Sequence, residues 1–199
     1  MFTGIVKGVG AITVVDRQSG ILHYTVALPL DLSHHLELGA SVSIDGVCQT
    51  VVQLDDNHVS FDAIDETLQR TTLNNIHVGD HVNVERSARF GDEIGGHLLS
   101  GHIYGRVRID SVDGNVWTFA CDPAWMKYLF SKGFIALNGC SLTLVDVDRQ
   151  RGVFTVHLIP ETLRRTTFAH KRVGDFVNLE LDAMTQAVVE TVERMSASS

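Results

Sequence analysis

Two short blocks of the chain set small hydroxyl or thiol side chains at alternate positions, Cys48 with Thr50 and Ser141 with Thr143. On a β-strand successive side chains point to opposite faces, so each pair shares a face. Such a face can bind a ligand, and a cysteine on it can act as a nucleophile. A lone Ser or Thr in an apolar strand more often only closes a barrel corner; here the arrangement occurs twice, which points to a repeated ligand site. Cys48 would need a cationic neighbour to lower its thiol pKa, and none stands beside it in sequence. His97 and His102 flank Leu98-Leu99-Ser100-Gly101. Five residues apart on a strand they face opposite sides, which argues against a shared metal. Lys132 precedes Gly133 at a strand start, either as an exposed cap or as a contact for an anion or carbonyl. Glu66 and Glu161 read as structural carboxylates opening short helices, where the helix dipole favours them.

These residues sit in a tandem duplication. Glu66-Thr67-Leu68-Gln69-Arg70-Thr71-Thr72 recurs as Glu161-Thr162-Leu163-Arg164-Arg165-Thr166-Thr167, identical at six of seven positions. The block from Val78 to Glu85 recurs from Val173 to Glu180 at the same offset. Upstream, the segment from Gly46 to Val51 answers that from Gly139 to Leu144, and Thr3-Gly4-Ile5 answers Ser100-Gly101-His102. In this pairing His102 replaces Ile5, which breaks the symmetry of the copies at an expected pocket lip. The first copy ends near Glu85, the second starts near His97, and the glycine-rich SARFGDEIGG connects them. Repeats of this kind are one supersecondary unit used twice.

Within each copy the pattern is that of strands. Segments 24–28, 41–44, 50–54, 58–64 and 81–84 are short, β-branched or alternating, and bounded by Gly, Asp or Asn. In the second copy 107–109, 116–120, 134–137, 143–147 and 153–158 follow suit. Close spacing predicts an all-β fold with a small antiparallel barrel or sandwich per copy. Helix is confined to turns over 66–71 and 123–131 and to a terminal segment. There Met184, Val188, Val192 and Met195 recur at helical spacing after Asp182, a favourable N-cap.

Composition narrows the function classes. The 199 residues are 44% hydrophobic and 20% charged, with a net charge of -8 and no cluster of Lys or Arg. That balance disfavours nucleic acid as a partner. The start lacks a signal peptide's pattern and no apolar run reaches the roughly 20 residues of a membrane span, so the expected location is the cytoplasm. Cys48, Cys121 and Cys140 are odd in number and widely spaced, reading as reduced thiols with no metal site.

Five segments carry a resemblance that spans essentially the whole chain: MFTGIV, NVERSARFGDEIGGHLLSGHI, MKYLFSKGFIALNGCSLT, VHLIPETLRRTT and TQAVVETVERM. Together they resemble the riboflavin synthase family of the bacterial α-subunit type. The resemblance implies two six-stranded antiparallel Greek-key barrels, over residues 1–88 and 97–183. It also implies a C-terminal helix, 184–199, that holds a homotrimer together. Each barrel would bind one 6,7-dimethyl-8-ribityllumazine, and the active site would form between the first barrel of one subunit and the second barrel of a neighbour. The implied reaction is a dismutation giving riboflavin and 5-amino-6-ribitylamino-uracil, with no cofactor; association with lumazine synthase is a further implied possibility.

Carried over by motif, the first barrel's site would use Gly4, Ile5 and Val6, then Ser41, Cys48, Gln49 and Thr50, then Asp62, Ala63, Ile64, Asp65, Glu66 and Thr67. The second barrel's site would use Gly101, His102 and Ile103, then Lys132, Ser141, Leu142 and Thr143, then His157, Leu158, Ile159, Pro160, Glu161 and Thr162. The catalytic candidates are Ser41, Cys48, His97, His102, Lys132 and Ser141. The chain departs from the family pattern at Gln49, commonly Leu, and at Asn138, commonly Asp. Asp45 holds the equivalent place in the first copy, which leaves open which barrel supplies a carboxylate. The alternative on the same fold is a non-catalytic lumazine- or flavin-binding antenna or carrier.

Overall fold

The structure, a computed structural model, describes residues 1–197. Six antiparallel strands close the first barrel: β1 (Gly8–Gln18), β2 (Ile21–Ala27), β3 (Ser41–Ile44), β4 (Val47–Asp55), β5 (His58–Ile64) and β6 (His81–Arg86). Their order around the barrel is β1-β2-β5-β4-β3-β6. A single-turn helix, α1 (Leu30–Ser33), precedes β3, and α2 (Asp65–Arg70) follows β5. The second barrel repeats the plan with β7 (Gly105–Asp113), β8 (Val116–Ala120), β9 (Phe134–Leu137), β10 (Cys140–Asp148), β11 (Val153–His157) and β12 (Phe176–Leu181), in the equivalent order. Here α3 (Pro160–Arg165) is the counterpart of α2, and α4 (Ala183–Ala197) ends the described chain.

Alternation along these strands sends one set of side chains inward. Tyr24, Val42, Ile44, Val51 and Phe61 fill the first barrel, and Ile109, Phe119, Leu137, Leu144 and Phe154 fill the second. Each aliphatic or phenylalanine side chain among them contributes about 1.5–3 kcal/mol on burial. Strand β1 goes beyond the expected set, because Gly8 and Gly10 dilute its β-branched pattern. The segment 123–131 forms a 3-10 turn over Pro123–Tyr128, opened by Asp122, whose carboxylate accepts from Ala124 N–H.

A reciprocal hydrogen-bond lock joins the barrels. Asn83 on β6 donates from Nδ2 to the Asn138 carbonyl at 2.9 Å and accepts at Oδ1 from Thr167 N–H at 2.8 Å. Asn178 on β12 mirrors it, donating to the Asp45 carbonyl at 2.8 Å and accepting from Thr72 N–H at 2.7 Å. Asp45 and Asn138 in turn accept the backbone N–H of Asn83 and Asn178, both at 2.7 Å. This corrects the reading of positions 45 and 138 as rival suppliers of a site carboxylate. Both are buried in turns where the barrels meet, and their side chains serve this lock.

Two straps cross between the barrels. Residues 1–7 precede β1 and residues 98–104 precede β7, and the straps pair where Phe2 and Leu99 exchange backbone hydrogen bonds. Phe2, Leu99 and Ala136 form a small apolar cluster between the barrels, with Cys48 packed against it.

Candidate functional site

The β3–β4 register places Ser41 opposite Thr50 and Ser43 opposite Cys48. Val42 and Ile44, which alternate with the two serines, are in the core, so Ser41, Cys48 and Thr50 share the outer face with Asp62 and Ile64 of β5. The second barrel repeats this face with Phe134 opposite Thr143, Ala136 opposite Ser141, and His157 and Ile159 alongside. Thus each barrel carries an open polar row on its outside, edged by an exposed isoleucine. Gln49, Ala63, Leu142 and Leu158 alternate with the row and are buried on the inward side. Their place as contacts is corrected accordingly: period-two alternation removes their side chains from the outer face. Gln49 Nε2 donates to the Cys48 carbonyl, while its Oε1 is buried without a partner.

The straps reach the opposite barrel from the one expected. The carbonyl of Gly4 accepts Ser141 N–H at 2.8 Å, on the second barrel, and that of Gly101 accepts Cys48 N–H at 2.9 Å, on the first. Both glycines have left-handed backbone, and a Cβ on either would lie about 2.5–2.6 Å from the Ser141 or Cys48 Cβ. Val6 belongs to the second barrel's core and Ile103 packs against the first. The assignment of Gly4, Ile5 and Val6 to the first site, and of Gly101, His102 and Ile103 to the second, is therefore reversed. The crossing of the straps is the physical reason. His102 is exposed next to the strap glycine over Cys48, and Ile5 holds the equivalent place by Ser141.

The second site has a feature the first lacks. His97 Nδ1 lies 2.6 Å from Ser141 Oγ, and its ring stacks on Phe134 at 5.1 Å between centroids. Burial holds this imidazole below the usual histidine range, an effect that Asp182 partly opposes. A neutral ring can accept the serine proton at Nδ1; Nε2 is buried with no partner. Lys132, in left-handed backbone, donates its N–H to the Leu144 carbonyl and forms no ion pair among the described residues.

Other expected positions are already engaged. Asp62 is 2.7 Å from His23 Nδ1, and Glu66 accepts from Arg70 at 2.7 Å. Glu161 accepts from both Arg164 and Arg165, which hold its carboxyl below the usual range, and Asp65, Thr67, Pro160 and Thr162 lie with these glutamates on α2 and α3. Sequence reasoning missed Phe134, His23, and two buried carboxylates, Glu85 and Glu180. The last two were visible as the acidic end of the duplicated VGD block. Among the described residues no cluster of three or more His, Cys, Asp or Glu is placed to hold a metal, and no helix is long and apolar enough to cross a membrane.

The chain matches the lumazine binding domain family over residues 3–87 and again over 100–182. It is 47% identical to riboflavin synthase of Escherichia coli (strain K12) over 203 aligned residues, covering 100% of this chain and 94% of that protein. Riboflavin synthase of Chlamydia pneumoniae is 44% identical, with 100% and 98% covered. Among solved structures, LumP complexed with riboflavin superposes with a TM-score of 0.81 at 26% identity, covering 92% of this chain and 100% of that one. LumP complexed with 6,7-dimethyl-8-(1'-D-ribityl) lumazine gives 0.81 at 22% identity, with 92% and 99% covered, a likeness of fold.

Proposed function

The chain belongs to the riboflavin synthase family, and from that premise we propose how its two sites carry out the dismutation of two 6,7-dimethyl-8-ribityllumazine molecules. The observation that carries the reading is 47% identity to a riboflavin synthase over the full length of a chain that keeps a polar row on both barrels. An antenna or carrier needs one ligand site; a reaction between two lumazines needs two.

The substrate supplies its own electron sink. Its C7 methyl is acidic and a second ring accepts a nucleophile at C7, so the protein's task is to orient two rings and move protons. Holding them face to face supplies up to roughly 7–11 kcal/mol through effective molarity. In the second barrel, Ser141 Oγ adds to or polarises the acceptor ring as its proton passes to His97 Nδ1, and Lys132 balances developing negative charge. In the first barrel, Ser41, Cys48 and Thr50 hold the other ring beneath the strap, where His102 carries the proton of the C7 methyl. In one chain both rows are open, with Phe134, Ile64 and Ile159 about half exposed at 49, 57 and 58%. A neighbouring subunit in a cytoplasmic homotrimer closes them, the seam being the exposed Met184, Val188 and Val192 face of α4.

The test is direct. Chelator-treated protein incubated with ribityllumazine gives riboflavin and the diaminouracil in equal amounts, followed by absorbance and fluorescence. Tight binding without turnover would overturn the enzyme and favour the carrier.

A further inference from the structure

We infer that Glu85 and Glu180 are positioning residues acting crosswise, each fixing the wall of the candidate lumazine site on the other barrel; the inference rests on the lumazine reading of those sites. Glu85 stands on β6 of the first barrel. Its Oε1 accepts the N–H and the hydroxyl of Thr3, both at 2.7 Å, and its Oε2 accepts Gly4 N–H at 3.1 Å. The next bond from Gly4 runs from its carbonyl to Ser141 N–H, on the second barrel. Glu180 on β12 repeats the arrangement in reverse. Its Oε1 accepts the N–H and hydroxyl of Ser100 at 2.7 and 2.8 Å, and its Oε2 accepts Gly101 N–H at 3.1 Å. From Gly101 the carbonyl leads to Cys48 N–H, on the first barrel.

The chemistry favours a role beyond packing. Both carboxyls are buried, and burial pushes both pKa values up while the strap hydrogen bonds pull them back. Burying a carboxylate is costly unless its oxygens are bonded. An apolar side chain would fill the same space without that cost, yet both copies of the repeat keep the acid. Three donors converge on two acceptor oxygens, which sets the strap's backbone direction as well as its depth. An amide, with one acceptor oxygen and a donating nitrogen, cannot satisfy all three.

Glu85→Gln and Glu180→Gln test this in the full chain by amide hydrogen exchange, which reports local opening bond by bond. Glu180→Gln is expected to speed exchange at Cys48 N–H by about tenfold or more while leaving Ser141 N–H unchanged; Glu85→Gln should do the opposite. Cys48 alkylation by iodoacetamide rises with it in Glu180→Gln alone, the buried Cys121 and Cys140 serving as internal controls. Thr3→Val and Ser100→Ala, which remove the hydroxyl's bond to the carboxylate and the bond it accepts from the N–H of Ile5 or His102 but leave both backbone bonds to the carboxylate, give the same crossed pattern at smaller amplitude should either glutamine variant fail to fold. Equal acceleration at both amides, an uncrossed pattern or no change would overturn the inference. Riboflavin titration of each variant, read by fluorescence quenching, should show weakened binding. Crossed exchange with unaltered riboflavin affinity would overturn the placement of these walls at the ligand. A parent chain that binds no riboflavin would instead bring down the lumazine reading itself.

Discussion

Ser141 Oγ and His97 Nδ1 lie 2.6 Å apart, although 44 residues separate them in the chain. The contact forms because the linker returns over the outer face of β10 just before the strap. Burial depresses the His97 pKa, so the ring stays neutral and able to accept a proton to a lower pH than an ordinary histidine. Replacing His97 by Ala should lower kcat by about 10²-fold, the scale of a lost general base. In the parent chain the acid limb of the rate profile that belongs to His97 should fall below pH 6.5, the ordinary histidine value. A limb at or above the ordinary value would assign it to another group.

The other histidine gives a second prediction. His102 is exposed on the strap over Cys48, where the first copy has Ile5 by Ser141. His102→Gln should reduce turnover by about 10²-fold with riboflavin affinity near that of the parent. Unchanged turnover would make it a surface residue.

Asp45 and Asn138 differ by one proton-bearing group in otherwise matching turns. Burial raises the Asp45 pKa to about 6, against the opposing influence of Lys171 and of the Asn83 N–H bond. Folded Asp45 keeps its proton up to that pH, whereas the unfolded chain loses it near its ordinary value of 3.8. Between the two the folded form binds more protons, so its stability falls as pH rises, by up to about 3 kcal/mol. Asp45→Asn copies Asn138, keeps the oxygen that Asn83 N–H needs, and should raise Tm at pH 7–8 while flattening the pH dependence between about 4 and 6. Thermal melts across that range decide it. A destabilised variant at pH 8 would mean that the carboxylate itself holds the interface.

Removing a lock residue acts in the other direction. Asn83→Ala leaves Thr167 N–H and the Asn138 carbonyl without their partners, and each buried orphan costs about 1–3 kcal/mol. A fall in unfolding free energy of that order is expected from denaturant titration, and a fall of less than about 0.5 kcal/mol would show that water replaces the lock.

The duplication was legible because it lies in the primary sequence, and so were most strands, whose alternation follows local chemistry. Alternation also implied that Gln49 and Leu142 point inward once Cys48 and Ser141 point outward, a consequence that motif-by-motif transfer passed over. The crossed straps were not legible. Gly4 precedes β1 by four residues, and only tertiary packing sends it to Ser141 instead of its own barrel. The Ser141–His97 contact has the same origin. Glu85 and Glu180 gave a signal, an acid kept in both copies amid apolar strand residues, but without the straps it had no partner to explain it.

Assembly supplies the last prediction. Tyr128 and Lys127 tie α4 to its own barrel through Glu190 at 3.3 Å and Glu193 at 2.6 Å, and Val189 packs on the second core. The face left over carries Met184, Val188 and Val192, exposed by 77, 57 and 56%. Spacings of three to four along such a stripe suit helix-to-helix packing. Val188→Glu with Val192→Glu keeps the helix and its anchors but places charge on the proposed seam. The double variant should sediment as a monomer, keep its fold by circular dichroism, bind riboflavin, and turn over at a small fraction of the parent rate because the second ring is out of reach. Removing residues 184–199 should do the same at the expense of the Tyr128 and Lys127 anchors. A monomer with full activity would refute a site shared between subunits, and a variant that still sediments as a trimer would move the assembly contact away from α4.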